Sequence, residues 1–361
     1  MSLEEFQHAL EFCTFCPKLC RHTCPVGNAE RREAVIPQAK MAMANFVRTG
    51  RVELTADTAS VFFHCTGCGL CGEYCEHDVD VSPVLFAARA IALEQGVELP
   101  SMKHFSDRFY RRSEALVREL HQLVPERYFV EEAQVAYFPS CDAIEHRQEV
   151  IGDTLKVLES VGVDYVALHD GEYVCAGYPF WAAGLMSELS FLAKEIAAKL
   201  NRYKKIICDC PACVWVMRFL YPRVGAELTS EVLHVAEFMD NYASRIQVST
   251  TVPAAFYHDP CYLGRWLGVF DAPRRLMGRA VREIREFTWN RERGYCCGGG
   301  GLVSDNLPEV SRLIAARRLE EVQRTDVPMI VTACATCERN LARESGNVEV
   351  VDLMSLIARC L

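Results

Sequence analysis

The sequence predicts an α-helical N-terminal domain followed by two tandem α/β modules with small parallel-type sheets. Eight cysteines fall in two compact runs near the N-terminus, and short β-rich runs alternate with helices from Ala133 onward. The cysteine pattern then repeats, because Cys141 and Cys261 lie 120 residues apart and Cys213 and Cys337 lie 124 apart. Similarity at such a period indicates repeated structural units. We expect an N-terminal domain at 1–98, a helical linker at 99–132 and modules at 133–250 and 251–361.

The composition is that of a globular protein with several domains. The chain has 361 residues, of which 50% are apolar, and a formal charge of −9. Its acidic start lacks the basic and apolar regions of a signal peptide, and no apolar run approaches the roughly 18 residues of a membrane span. The negative charge disfavours nucleic acid as a partner. We therefore expect a cytoplasmic protein, whose 19 cysteines stay free to bind metal in a reducing compartment.

Three helices are predicted in the N-terminal third of the chain. Residues 37–49 place apolar side chains near the 3.6-residue period. Ser82-Pro83 opens a second helix, since proline is favoured in the first turn. A third, amphipathic helix runs to about Val124, where Pro125 ends it, and it forms the linker between the two halves.

The two N-terminal cysteine runs have the spacing of iron–sulfur ligands. They read Cys13-x2-Cys16-x3-Cys20-x3-Cys24 and Cys65-x2-Cys68-x2-Cys71-x3-Cys75. The second matches bacterial two-cluster ferredoxins, and the first departs from that spacing by one residue. In such domains three cysteines of a run hold one 4Fe–4S cubane and the fourth reaches the other. We expect one cubane on Cys65, Cys68, Cys71 and Cys24, and another on Cys13, Cys16, Cys20 and Cys75. A pair of four-cysteine zinc sites is the alternative.

The two modules show strands alternating with helices. In the first, strands are predicted at 135–138, 164–168, 205–208 and from 232, with helices at 148–161 and 181–202. In the second, they are predicted from 254, at 284–288, 328–332 and 348–353, with a helix at 307–324. The cysteines fall on loops after strands. Open α/β sheets bind ligands at the carboxyl ends of their strands.

The copies differ in their cysteines. Tyr173-Val174-Cys175-Ala176-Gly177 aligns with Tyr295-Cys296-Cys297-Gly298-Gly299, so Val174 stands where the second copy has one of its paired thiols. Two adjacent cysteines can ligate one metal centre, and the glycines behind them let the backbone approach a bulky inorganic group. The first copy keeps Cys141, Cys175, Cys210 and Cys213, the count for a cubane. The second keeps Cys261, Cys296, Cys297, Cys334 and Cys337. We interpret Cys208 as an inert buried thiol, with ligation as the alternative, and assign no role to Cys360.

This layout resembles the cysteine-rich CCG domains of the heterodisulfide reductase catalytic subunit. With the two N-terminal runs in front, residues 8–361 resemble its fused D-type form. The chain is also similar to the iron–sulfur subunits of anaerobic glycerol-3-phosphate dehydrogenase and glycolate oxidase. The resemblance implies a ferredoxin-like domain with two 4Fe–4S cubanes, followed by two tandem CCG modules. It further implies a non-cubane 4Fe–4S cluster on the five cysteines of the second module. The reductase has two such complete sites and this chain has one, which argues against disulfide cleavage by a pair of clusters.

Four cluster sites without a credible flavin or nucleotide motif predict an electron-relay subunit. It would act within a soluble multi-subunit oxidoreductase and pass electrons between a flavoprotein partner and an acceptor. The alternative is a catalytic subunit that reduces a disulfide or another low-potential substrate at the Cys261 site. His258, Asp259 and Arg265 flank Cys261 and are the candidate catalytic residues. A zinc-held interaction scaffold is a third, non-enzymatic hypothesis.

Overall fold

The structure, a computed structural model, describes residues 2–129, 133–163, 166–168 and 173–361, without the side chains of 166–168. Its N-terminal part is helical, with short 3-10 turns at the cysteine runs. The helices are α1 (Gln7–Phe15), α2 (Pro25–Glu30), α3 (Pro37–Arg48), α4 (Ala56–Ser60), α5 (Val81–Glu94) and α6 (Phe105–Leu123).

Local sequence explains where these helices begin and which side they bury. Pro25 and Pro37 open α2 and α3 at a position where no backbone donor is needed. The hydroxyl of Thr55 caps α4 by accepting from the backbone N–H of Thr58. Helix α6 is strongly amphipathic and buries one face that includes Phe109 and Leu116.

Each α/β module contains a four-stranded parallel sheet. The first has the order β2-β1-β3-β4 and the second β6-β5-β7-β8, which is the same order in the two copies. The strands are β1 (Val135–Phe138), β2 (Val166–Leu168), β3 (Lys205–Cys208), β4 (Glu231–His234), β5 (Val252–His258), β6 (Val281–Glu286), β7 (Met329–Thr332) and β8 (Glu349–Asp352). The prediction of two small parallel sheets is confirmed.

Helices cover these sheets. The first module has α7 (Cys141–His146), α8 (Glu149–Ser160), α9 (Tyr178–Ala183), α10 (Met186–Leu200), α11 (Pro211–Trp215) and α12 (Val235–Asp240). The second has α13 (Asp271–Ala280), α14 (Val303–Asn306), α15 (Pro308–Leu319), α16 (Ala335–Ala342) and α17 (Leu353–Cys360). Among the helices described here, none is long and apolar enough to cross a membrane.

Most predicted elements lie where the sequence placed them, with one clear error. The single helix predicted at 181–202 is two helices, α9 and α10, separated at Gly184. Gly184 has a φ of +90°, and a Cβ there would lie 2.4 Å from the backbone nitrogen of Ala90 on α5. The close approach of α5 therefore breaks the helix. The strand predicted at 164–168 is seen at 166–168, and residues 164 and 165 lie outside the described residues. The four domain boundaries stay a prediction.

A fully buried arginine joins the three parts of the molecule. The guanidinium of Arg89 on α5 donates to the carbonyl oxygens of Phe62 and Cys65 in the N-terminal domain. It also donates to the carbonyls of Ala182 in the first module and Gly301 in the second. Buried charge is tolerated only where its donors are satisfied. The three domains therefore meet at one point, close to the second cysteine run.

Candidate metal centres

The first group of thiols, here called site I, lies near the surface of the N-terminal domain. Cys13, Cys16, Cys20 and Cys75 line one small cavity. Burial and the neighbouring thiols raise the pKa of Cys13 to about 12 and that of Cys20 to about 11. These shifts show that four thiolates packed together repel one another unless a cation is added. A bound metal centre supplies that charge. The structure thus brings together the four residues predicted for this cubane.

Site II lies beside site I and is formed by Cys24, Cys65, Cys68 and Cys71, which line a second small cavity. The Cys24 sulfur accepts from the backbone N–H of Gly27 at 3.4 Å and lies 3.6 Å from the ammonium of Lys40. Cys71 also lines the cavity of site I. The crossed grouping expected from the two runs is therefore present, while ligation itself stays a prediction.

Site III, in the first module, gathers Cys141, Cys175, Cys210 and Cys213 along the wall of a larger cavity. Cys141 begins α7 directly after β1, and the other pair flanks the start of α11 after β3. The Cys141 thiol donates to Cys175 and so lowers the pKa of Cys175. These thiols thus lie at the carboxyl ends of parallel strands, as predicted.

The remaining first-module positions do not extend this site. Val174, which replaces the second adjacent thiol, is buried. Cys208 is buried within β3, and burial raises the pKa of its thiol. Cys360 lies in the hydrophobic core at the end of α17. Neither Cys208 nor Cys360 lines the cavity of site III, so their interpretation as structural residues stands as a prediction.

Site IV is formed by the five thiols of the second module. The sulfurs of Cys297 and Cys337 lie 3.1 Å apart. Cys296 is hydrogen-bonded to both Cys261 and Cys297, and Cys334 immediately precedes α16. Donation from Cys296 and Cys337 lowers the pKa of Cys297. Cys297 is therefore the thiol that loses its proton most readily, which is the form that binds metal.

Sites II and IV touch across a domain boundary. The thiols of Cys68 and Cys296 are hydrogen-bonded to each other. Arg265 holds the two sides together, because its Nε donates to the Cys68 carbonyl at 2.7 Å and its Nη1 donates to the Gly294 carbonyl at 2.6 Å. The indole N–H of Trp266 donates to the carbonyl of Gly67 at 3.0 Å. This contact was not predicted, since it joins residues about 200 positions apart.

The glycines after the paired cysteines serve two purposes. The N–H of Gly298 donates to the Cys296 sulfur at 3.3 Å, as expected for a backbone that faces a metal centre. Gly301, in contrast, has a φ of +62°, and a Cβ there would lie 2.1 Å from the Cys65 carbonyl oxygen. It accommodates the N-terminal domain. The interpretation of these glycines as cluster contacts is therefore incomplete.

The three candidate catalytic residues have different surroundings. Both carboxylate oxygens of Asp259 accept from Arg274, at 2.7 and 2.9 Å, so this side chain is committed to a buried ion pair. Arg265 is committed largely to the contact between domains. His258 is buried beside Cys297, and a ring nitrogen lies within 4.8 Å of the sulfurs of Cys297 and Cys337. Of the three, only His258 faces the thiols with an atom to spare.

A cavity of about 400 Å³ lies between the two modules. Four cysteines of site III and four of site IV line it, and Cys296 is the member of site IV that does not. Arg112 and Arg339 contribute positive charge to its wall, and each is paired with a carboxylate, Glu145 and Asp142 respectively. The cavity is thus shared by both thiol sets and by a mixed set of charges.

Two buried cations beside the thiols were missed by the sequence reasoning. Lys40 lies between Cys24 and the carbonyl of His64, to which it donates at 2.7 Å. Its sequence signal was weak but present, because it occupies the buried side of α3 with Pro37, Met41 and Ala44. The other is Arg318 on α15, which contacts His258.

The residues present fit iron–sulfur groups. Each site offers four or five thiols with backbone or side-chain donors nearby. Within the described part of the chain, the buried atoms His258 Nε2 and Arg265 Nη2 also lack a hydrogen-bond partner. Such orphaned donors beside thiols suit the sulfur atoms of a bound cluster.

Comparison with known families agrees with this arrangement. A model described as "Cysteine-rich domain" matches residues 135–218 and 255–342. A model described as "4Fe-4S dicluster domain" matches residues 9–79. Each matched segment contains at least four of the cysteines described above.

Similar proteins include components of reductases. The chain is 28% identical to the D-type subunit of the dihydromethanophenazine:CoB–CoM heterodisulfide reductase of Methanosarcina mazei, covering 82% of this chain and 77% of that protein. It is 28% identical to the B-type subunit of the fumarate reductase (CoM/CoB) of Methanothermobacter marburgensis, covering 94% and 70%. It is 25% identical to the EtfAB:quinone oxidoreductase of Syntrophomonas wolfei, covering 91% and 54%. A crystal structure of a hypothetical Helicobacter pylori protein shares the fold, with a TM-score of 0.58 at 8% identity over 99% of this chain and 75% of that one.

Proposed function

This chain is an iron–sulfur protein of the CCG cysteine-rich domain family, related to the D-type subunit of heterodisulfide reductase, and from that premise we propose that it relays electrons within a multi-subunit oxidoreductase. Two N-terminal cubanes, a cubane at site III and a non-cubane 4Fe–4S cluster at site IV would carry the electrons. The reducing cytoplasm is the proposed location, since it keeps the thiols available.

The observation that carries this proposal is the unbroken succession of thiol sites. Cys71 borders both site I and site II. Cys68 of site II contacts Cys296 of site IV, and Cys210 of site III lies in the electrostatic field of Cys334 of site IV. Electron tunnelling weakens steeply with distance, so neighbouring sites define the route. The order I, II, IV, III follows from these contacts.

The surface around site I supports it as the place where a partner subunit exchanges electrons. All four of its cysteines are partly exposed, whereas most thiols of sites III and IV are buried. The exposed apolar side chains of Phe12, Phe15 and Leu19 surround it. We propose a flavoprotein as this partner. The name of the Syntrophomonas relative, which pairs EtfAB with quinone, supports the same type of exchange.

Loss of one site IV ligand tests the relay. In the native complex, Cys297→Ala should abolish transfer to the acceptor while sites I and II remain reducible, because the route passes through site IV. Iron and acid-labile sulfide of the anaerobic wild type should approach about sixteen irons, at four per cluster. Low-temperature EPR should then show one signal unlike a cubane.

The matched control is Cys360→Ala, which removes a buried thiol far from the cavity. It should leave transfer and iron content unchanged. Normal turnover by Cys297→Ala would refute the relay through site IV, and a colourless protein that contains zinc would refute the iron–sulfur proposal as a whole.

A second function, reduction of a disulfide at site IV, is favoured by the cavity between the modules. Its volume of about 400 Å³ and its lining by thiols of both modules suit a small substrate. The isolated subunit would then reduce a disulfide with an artificial electron donor. Absence of that activity in protein with full iron content would leave the relay alone.

A further inference from the structure

The last residue of the central strand differs between the two modules. Both central strands end next to their module's first cysteine: β1 ends at Phe138 and β5 ends at His258. In the sheets, Phe138 pairs with Cys208 and His258 pairs with Thr332, so the two positions are equivalent in register. The complete five-thiol site therefore has a histidine where the four-thiol site has an apolar ring.

A buried arginine fixes this histidine. Arg318 donates from Nε to the Nδ1 atom of His258 at 3.1 Å and from Nη1 to the Trp289 carbonyl at 2.9 Å. Its guanidinium lies 3.5 Å from the ring centre of Phe287. Packing from two sides and two hydrogen bonds leave Arg318 little freedom. The orientation of the imidazole ring is therefore set by the protein rather than by a bound group.

The contact also determines the tautomer. An arginine can only donate, so Nδ1 of His258 must be the acceptor nitrogen. In a neutral imidazole the proton then sits on Nε2. Burial and the charge of Arg318 lower the pKa of His258, which keeps the ring neutral. Nε2 thus carries a hydrogen and has no lone pair to offer a metal.

The Nε2–H group faces the site IV thiols. It is buried and, within the described part of the chain, has no hydrogen-bond partner that meets geometric criteria. The nearest polar group is the Cys297 sulfur, with which His258 interacts electrostatically. A sulfur atom that carries negative charge is the acceptor this donor lacks.

We propose that His258 is a positioning residue that donates an N–H···S hydrogen bond to Cys297 and thereby raises the reduction potential of site IV. This inference rests on the proposed function, in that it takes site IV to hold an iron–sulfur cluster. Reduction adds negative charge to the cluster and its sulfurs, so a hydrogen bond to sulfur stabilises the reduced form more than the oxidised form. The histidine is a donor and not a ligand.

Two substitutions of His258 separate these roles. His258→Phe installs the residue of the first module and removes the donor. His258→Gln keeps an amide N–H at a similar distance from Cβ. In EPR-monitored titrations of the whole protein, His258→Phe should favour the oxidised form about tenfold more at a fixed potential, about 59 mV for a one-electron couple. His258→Gln should restore most of the wild-type value.

The site IV signal is assigned as the one that disappears in Cys334→Ser. Iron content should be equal in wild type, His258→Phe and His258→Gln. Pulsed EPR of protein labelled with 15N-histidine should show the weak coupling of a hydrogen-bonded nitrogen. Loss of site IV iron in His258→Phe, or a strong nitrogen coupling, would assign ligation to His258 and overturn the inference. An unchanged potential would also overturn it, whereas absence of a site IV cluster in the wild type would instead refute the proposed function.

Discussion

At the scale of single residues, the buried cations beside the thiols determine how easily each site accepts an electron. Lys40 reaches the Cys24 sulfur of site II, and burial leaves its charge poorly screened. Site I has no comparable partner among the described residues, because its nearby Lys18 and Arg21 are exposed and paired with Glu33. Site II should therefore have the higher reduction potential of the two.

Lys40→Met tests this difference. Removing the ammonium should lower the potential of site II by about 59 mV or more, a tenfold change in the ratio of reduced to oxidised cluster. The potential of site I should change little. Lys40→Arg keeps the charge and is the matched control. Equal potentials for site II in wild type and Lys40→Met, measured by EPR-monitored titration, would show that the ammonium does not tune this site.

At the scale of secondary-structure elements, the sequence predicted what local patterns determine. The β-rich runs at 135–138, 205–208 and 329–332 are strands because alternating helices bury them on both faces, and apolar runs of that length are typical of such strands. The break between α9 and α10 could not be predicted, because Gly184 responds to α5, an element about ninety residues away. The same holds for Gly301, whose partner is the Cys65 carbonyl.

Gly301→Ala is the corresponding test. A positive φ and a clash with backbone should destabilise the protein by about 1–3 kcal/mol or more. At this size the apparent Tm should fall by several degrees. Hydrogen exchange should rise at residues 65–68, where the loop contacts the N-terminal domain. Gly152→Ala, on α8 with no atom within 4 Å of the new Cβ, should be neutral or stabilising.

A Gly301→Ala variant with the Tm and exchange of wild type would mean that the loop and the N-terminal domain separate without cost. The Cys68–Cys296 contact would then be unimportant for stability. A loss equal to that of Gly152→Ala would assign the effect to helix and backbone propensity rather than to the contact between domains.

At the scale of the whole molecule, the grouping of thiols within each domain was predictable, and the order of the sites was not. Ligand spacing places four cysteines at sites I and II because short loops bring them together. The contact of Cys68 with Cys296 depends instead on how three domains pack around Arg89, which no local pattern encodes. The route I, II, IV, III is thus a property of tertiary structure.

That route gives the molecule a polarity, with site I at the surface and site III at the far end, and the polarity can be tested at Phe15. This side chain is 82% exposed, and Phe12 and Leu19 beside it are 41% and 47% exposed. Burial of one phenylalanine in an interface contributes about 1.5–3 kcal/mol. Phe15→Ser should therefore weaken binding of the flavoprotein subunit from the native complex about tenfold or more, as measured by calorimetric titration, without changing the potential of site I. Phe191→Ser, at a 53% exposed phenylalanine on α10, should bind like wild type. The opposite pattern would move the partner to the first module, and electrons would then enter the relay at site III.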